Sequence, residues 1–122
     1  MTLSGAMLFV KDFERMTAFY ADVLGMKVVA ETRLDNWVEF ESRGARFALH
    51  AIPAAVAEGI TVDSPPVPRE RSATKLTFDV ADVDGTLARI EAMGLPLLRR
   101  PWGEIEATDP EGNVFAIGSS SA

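Results

Sequence analysis

Residues 108–118 of the chain read TDPEGNVFAIG, and residues 41–50 read ESRGARFALH. Each is a charged turn with a glycine, Gly112 or Gly44, followed by an apolar strand-like run in which RFAL matches VFAI. The match extends upstream. Val10-Lys11-Asp12 corresponds to Val80-Ala81-Asp82, and Gly25 to Gly94. In both copies an apolar, β-prone run (AMLFV or KLTFDV) leads to an aspartate suited to cap a helix. After Asp12, the residues Phe13, Met16, Phe19, Tyr20, Val23 and Leu24 fall on one helical face. After Asp82 comes the shorter helical stretch DVDGTLARIEAM, stopped by Gly94 as Gly25 stops the first. Three strand candidates then follow in each copy: MKVVAET, NWVEFES and ARFALHA in the first, LPLLRR, GEIEAT and NVFAIG in the second. A β-α-β-β-β unit is used twice.

The predicted fold class is therefore α+β, built from two tandem βαβββ modules at residues 1–50 and 73–122. Residues 51–72 join them and hold four of the seven prolines, a density that makes a stiff, strand-poor connector. Within it AAVAEG is read as a short helical turn, and a flap over a pocket is the alternative to a plain linker.

Bulk properties narrow the function. A chain of 122 residues is one domain's worth, or two half-size modules sharing a core. Its net charge of −6 and pI near 4.7 argue against a nucleic-acid partner, because phosphate contacts need a basic surface. With no cysteine there are no disulfides, thiolate nucleophiles or cysteine metal sites. The N-terminal MTLSGAMLFV lacks the basic region and apolar length of a secretion signal. No run approaches the roughly 20 apolar residues of a membrane span. A cytoplasmic protein with no membrane partner is expected.

The period-2 alternation of strands assigns faces. Leu76, Phe78 and Val80 form one apolar set, with Lys75, Thr77 and Asp79 opposite; Phe47 and Leu49 oppose Arg46, Ala48 and His50. Gly5, Met7 and Phe9 oppose Ala6, Leu8 and Val10, while Trp37 and Glu39 oppose Val38 and Phe40. Glu104 and Glu106 oppose Ile105 and Ala107, although the repeat register sets Glu106 opposite Val38, of the other parity. The charge-tolerant set is expected to line the functional face.

Three segments carry a family resemblance: FYADVLGMKV after a strand ending VKD, PWGE before the last hairpin, and DPEGNVFAI at the end. Together they resemble the vicinal oxygen chelate superfamily of glyoxalase I, extradiol dioxygenases, and fosfomycin- and bleomycin-resistance proteins. The resemblance implies βαβββ modules whose mixed sheets curl around a cup, with helices outside, commonly in a homodimer. It also implies four metal-ligand positions. The first lies on the opening strand seven residues before the capping aspartate, at Gly5, with Lys75 as its counterpart. The last strand supplies Ala116, seven residues after Asp109, and its counterpart is Ala48. Glycine and alanine have no donor, and an ammonium repels a cation, so no metal site is predicted there. A shifted register using His50, with Glu39, Glu104 or Glu106, is the alternative that keeps a divalent metal.

The expected ligand-contacting residues are Trp37, Glu39, His50, Lys75, Trp102 and Glu104. Trp37 and Trp102 offer stacking surfaces, and Lys75 places a positive charge where relatives place a metal ligand. The bland reading of Lys75 is an ion pair with Glu104, Glu106 or Glu39. Asp109 and Glu111 are read as turn residues. The first functional reading is a protein that binds a small molecule without a metal, resembling the bleomycin-resistance branch. One alternative is a metal-dependent glyoxalase-like lyase or isomerase, or a dioxygenase. The other is a non-catalytic structural module.

Overall fold

The computed structural model describes residues 1–119. The chain divides into two compact units, Met1–Thr61 and Val62–Ala122. Each is an α+β unit with its own mixed sheet.

In the first unit, strand β1 (Gly5–Val10) leads into helix α1 (Phe13–Ala18). The Asp12 carboxylate accepts from the Arg15 amide at 3.1 Å, which satisfies an amide that the first helical turn would leave unpaired. A π-helical turn, Phe19–Val23, continues the helix; Leu24 N–H reaches back to Phe19 C=O at 3.2 Å. Gly25 ends it at φ +77, a conformation that a β-carbon disfavours. Strands β2 (Trp37–Phe40) and β3 (Arg46–Ala51) complete a sheet of order β1-β3-β2, with β1 parallel and β2 antiparallel to β3. Helix α2 (Ala54–Ala57) occupies the expected helical turn.

The predicted strand over MKVVAET does not form. Only the Val28↔Phe40 bridge remains of it, held by Val29 N–H to Glu39 C=O and Glu41 N–H to Lys27 C=O, both 2.8 Å. The chain then folds into a 3-10 turn, Ala30–Thr32, closed by Arg33 N–H on Ala30 C=O, and this local bond removes the backbone groups a longer ladder needs.

The core of this unit is the apolar parity set together with the helix face. Val10, Met16, Phe19, Tyr20, Val38, Phe40 and Leu49 are all at most 1% exposed. Tyr20 stands edge-on to Phe47, centroids 5.0 Å apart, and Phe47 stacks on its register partner Phe40 at 5.8 Å.

In the second unit β4 (Leu76–Val80) leads to helix α3 (Val83–Ala92), capped by the Asp82 carboxylate on the Gly85 amide at 3.0 Å and ended by Gly94 at φ +75. Strands β5 (Leu97–Arg99), β6 (Ile105–Thr108) and β7 (Val114–Ser119) follow. The sheet order is β4-β7-β6-β5, with β4 parallel to β7 and the other pairs antiparallel. Val80, Ile90, Leu95, Ala107 and Phe115 are buried. The turn before β7 is organised by Asp109, which is fully buried and accepts from the amides of Glu111 and Asn113 and from the Asn113 side chain, at 2.8–3.0 Å. Asp109 is thus a turn residue, as its sequence context predicts.

Candidate functional site

In the first unit, register decides which side chains meet. Gly5, Met7 and Phe9 of β1 stand beside Arg46, Ala48 and His50 of β3, and Glu39 and Trp37 of β2 stand beside Ala48 and His50. The face opposite the core therefore carries a row Met7–Ala48–Glu39 and a row Phe9–His50–Trp37. In the second row three rings from three strands adjoin. The His50 imidazole lies 5.5 Å from Phe9 and 5.9 Å from Trp37, centroid to centroid, tilted 49° and 63° to them. Phe9 is 61% exposed and Met7 41%, while Trp37, Glu39 and His50 are half-buried. His50 thus sits between two aromatic rings. Among the described residues Glu39 has no ion-pair partner.

The second unit builds a charged cluster on the corresponding face. Thr77, Ala116, Glu106 and Leu98 form one cross-strand row. The Glu106 side chain is only 2% exposed, yet it stays ionised because two cations close on it. Lys75 Nζ donates to Oε2, while Arg100 Nε and Nη2 donate to Oε1 at 3.0 and 2.7 Å. Hydrogen bonding from Lys75, then from Arg100, holds the Glu106 carboxyl below the usual glutamate range, against the opposing pull of burial. The same bond, supported by the charges of Glu106 and Glu104, keeps Lys75 protonated above the ordinary lysine value. Lys75 is therefore a fixed ammonium and a poor proton acceptor.

Around this centre the Glu104 carboxylate lies 3.7 Å from Lys75 Nζ and accepts from the Trp102 indole N–H at 3.1 Å. Trp102 itself is 69% exposed at the hairpin between β5 and β6. Arg100 also holds Glu70 at 2.9 Å, and Arg69 donates to Glu111 C=O at 2.8 Å, so residues 69 and 70 of the proline-rich segment are fastened to the hairpins of this sheet.

The six residues singled out from sequence fall into two groups. Trp37, Glu39 and His50 share one face of the first unit; Lys75, Trp102 and Glu104 form a connected group in the second. Sequence reasoning considered Glu106 only as an alternative carboxylate and ion-pair partner, and it passed over Arg100. Leu98 pairs with Glu106 and Arg100 with Glu104, so positions 98, 100, 104 and 106 share a face, a pairing that only the folded hairpin reveals. The uncertain register of Glu106 is also resolved. Glu106 stands across from Ala116 as Glu39 stands across from Ala48, so Glu106 is the counterpart of Glu39 and not of Val38. Phe9 is an exposed wall of the aromatic row.

At the positions where a metal would be held, Gly5, Ala48 and Ala116 carry no donor atom, and Lys75 is engaged with Glu106. No group of three or more His, Cys, Asp or Glu suited to a metal ion occurs among the described residues. These side chains do not fit the family's ion. No described helix is long and apolar enough to cross a membrane.

Comparison with known proteins accords with this architecture. The structure of a protein of unknown function from Agrobacterium tumefaciens str. C58 is 31% identical over 98% of this chain and 94% of that one, with a TM-score of 0.62. Lactoylglutathione lyase from Agrobacterium tumefaciens is 27% identical over 95% and 91% of the two chains, at a TM-score of 0.58. The genomically encoded fosfomycin resistance protein FosX from Listeria monocytogenes shares the fold at 21% identity, covering 98% and 91%, with a TM-score of 0.67. No curated protein matches the chain significantly. A sequence model of one family matches residues 2–117, nearly the whole chain, and the chain belongs to that family, the Glyoxalase/Bleomycin resistance protein/Dioxygenase superfamily.

Proposed function

We propose that this protein binds a small molecule on the solvent-facing sides of its sheets and does so without a metal ion. The observation that carries the reading is the ion cluster of the second unit. Where a metal ligand is expected the chain places Lys75, and that ammonium is locked on the buried Glu106 carboxylate with Arg100. With its charge offset by Glu106 and Glu104, Lys75 keeps its proton and is suited to hold polar ligand groups through its remaining N–H donors and not to abstract protons. Trp37, Glu39 and His50 are the contact residues assigned to the first unit, and Lys75, Trp102 and Glu104 those assigned to the second. The same reading takes the modules as residues 1–50 and 73–122 with a linker at 51–72, the protein as cytoplasmic, and, by analogy with the family, as a homodimer.

The test is elemental analysis of protein purified without chelator, paired with a small-molecule screen read by tryptophan fluorescence. The expected result is no stoichiometric metal, and saturable quenching by at least one compound that is lost in Trp37→Phe or Trp102→Phe. One tightly bound divalent metal per chain, lost in His50→Ala, would overturn the reading in favour of metal-dependent catalysis. Light scattering of the purified protein tests the dimer.

A further inference from the structure

The sequence repeat places a carboxylate at the same point of both sheets and neutralises only one of them. Glu106 across from Ala116 and Glu39 across from Ala48 are register equivalents. In the second unit two side chains, Lys75 and Arg100, compensate Glu106. Because Phe47 matches Phe115, and these pair with Ala6 and Leu76, the counterpart of Lys75 is Gly5. Counting on from the Val28↔Phe40 and Leu97↔Ala107 pairs, the counterpart of Arg100 is Glu31, an acid. Both cations are therefore missing in the first unit.

What stands beside Glu39 instead is aromatic. The row Phe9–His50–Trp37 lies two residues along the strands, about 7 Å away, and Phe9 at its edge is 61% exposed. Two cations flank this face, Arg46 two residues along β3 on the other side of Ala48 and Lys27 across from Glu41, which it holds at 3.9 Å; no ion pair joins either to Glu39 among the described residues. A half-buried carboxylate without a counter-ion beside an aromatic row whose outer ring, Phe9, is exposed is complementary to an organic cation, which gains both the charge and the ring quadrupoles. The chain's net charge of −6 favours the approach of such a ligand.

We infer that the face formed by Phe9, His50, Trp37 and Glu39 is a binding site for a small organic ammonium ion, protonated or quaternary, with Glu39 as its counter-ion and Trp37 as its principal ring contact. The inference rests on the small-molecule reading above and gives its ligand class for the first unit.

The test uses the full chain with Trp102→Phe, so that Trp37 is the sole tryptophan, and three probes of one shape: choline (cationic), 3,3-dimethylbutan-1-ol (neutral) and 3,3-dimethylbutanoate (anionic). Choline is expected to quench Trp37 saturably, with an affinity about tenfold or more above the neutral isostere. Glu39→Gln should bring the ratio of choline affinity to neutral-isostere affinity close to one. Added salt should weaken only the cation, a readout that needs no second variant. Equal binding of choline and its neutral isostere would overturn the inference while sparing the small-molecule reading, and so would a preference for the anion. Failure of all three probes to quench would also overturn it, and the wider reading would then stand or fall on the library screen.

Discussion

Replacing Glu106 by glutamine removes the charge that holds Lys75 and Arg100 together while keeping the shape of the side chain. The wild-type carboxylate accepts three charge-assisted hydrogen bonds, one from Lys75 and two from Arg100, with its side chain 2% exposed. Removing one partner of a buried charge pair costs about 3–5 kcal/mol when the remaining charge stays buried. Here the orphaned cations can rehydrate, since the Lys75 and Arg100 side chains are 44% and 24% exposed, and the amide oxygen still accepts one bond. The expected loss is therefore lower, about 2 kcal/mol. For a chain of this length that is a fall of roughly 6–12 °C in Tm by differential scanning calorimetry.

The difference must also depend on pH. The folded-state pKa of Glu106 is lowered, so its contribution is fully present above the unfolded glutamate value, about 4.3, and is lost as pH falls through the lower folded value. Wild type and Glu106→Gln should therefore converge in stability as pH falls below about 4. A variant as stable as wild type at neutral pH would refute the reasoning. So would a gap that persists undiminished to acid pH, since the loss would then come from packing and not from charge.

Three further outcomes follow from local geometry. Thr108 Oγ1 is buried without a hydrogen-bond partner among the described residues, so Thr108→Val should stabilise the protein by about 1 kcal/mol in urea denaturation; destabilisation would mean that a buried water satisfies the hydroxyl. Asp12→Ala and Asp82→Ala each remove an equivalent helix cap, and should cost about 1 kcal/mol apiece by the same assay. A loss confined to one of them would break the functional equivalence of the two caps. Gly112→Ala should be costly, about 1–3 kcal/mol, because Gly112 has φ +89 and an added β-carbon would lie 2.7 Å from Val67 C=O. Gly44→Ala, where nothing lies within 4 Å, should change stability by no more than about 0.5 kcal/mol, and thermal melts of the pair decide it.

Much of the site's layout is legible in the sequence because a strand's side chains alternate with fixed period. Once RFALH and WVEF are read as strands, Trp37, Glu39, Ala48 and His50 must share a face, and the buried Val38, Phe40, Phe47 and Leu49 must share the other. The capping aspartates and the glycines that end the helices are equally local, each acting through its own backbone or a neighbour's. These features need no distant partner.

The pairing between strands is a different matter. Alternation sets Glu106 opposite Ile105 and Ala107, yet the sequence repeat aligned it with Val38, one residue out of step with Glu39, and a one-residue slip reverses the face. Only the observed ladder makes Glu106 the counterpart of Glu39. Arg100 was passed over for the same reason, as its role depends on the hairpin that folds it back beside Glu104. The missing MKVVAET strand shows the reverse limit. Its residues have strand propensity, yet the turn at Ala30–Thr32 takes the backbone bonds that would extend the ladder. By itself the sequence determined the repeat, the strand alternation and the caps, because these follow from local periodicity and residue type; the candidate ligand positions came from the family resemblance and not from periodicity. Tertiary structure alone decided that one of two equivalent carboxylates is neutralised by Lys75 and Arg100 and the other left to an aromatic row, because that outcome depends on which strands lie side by side.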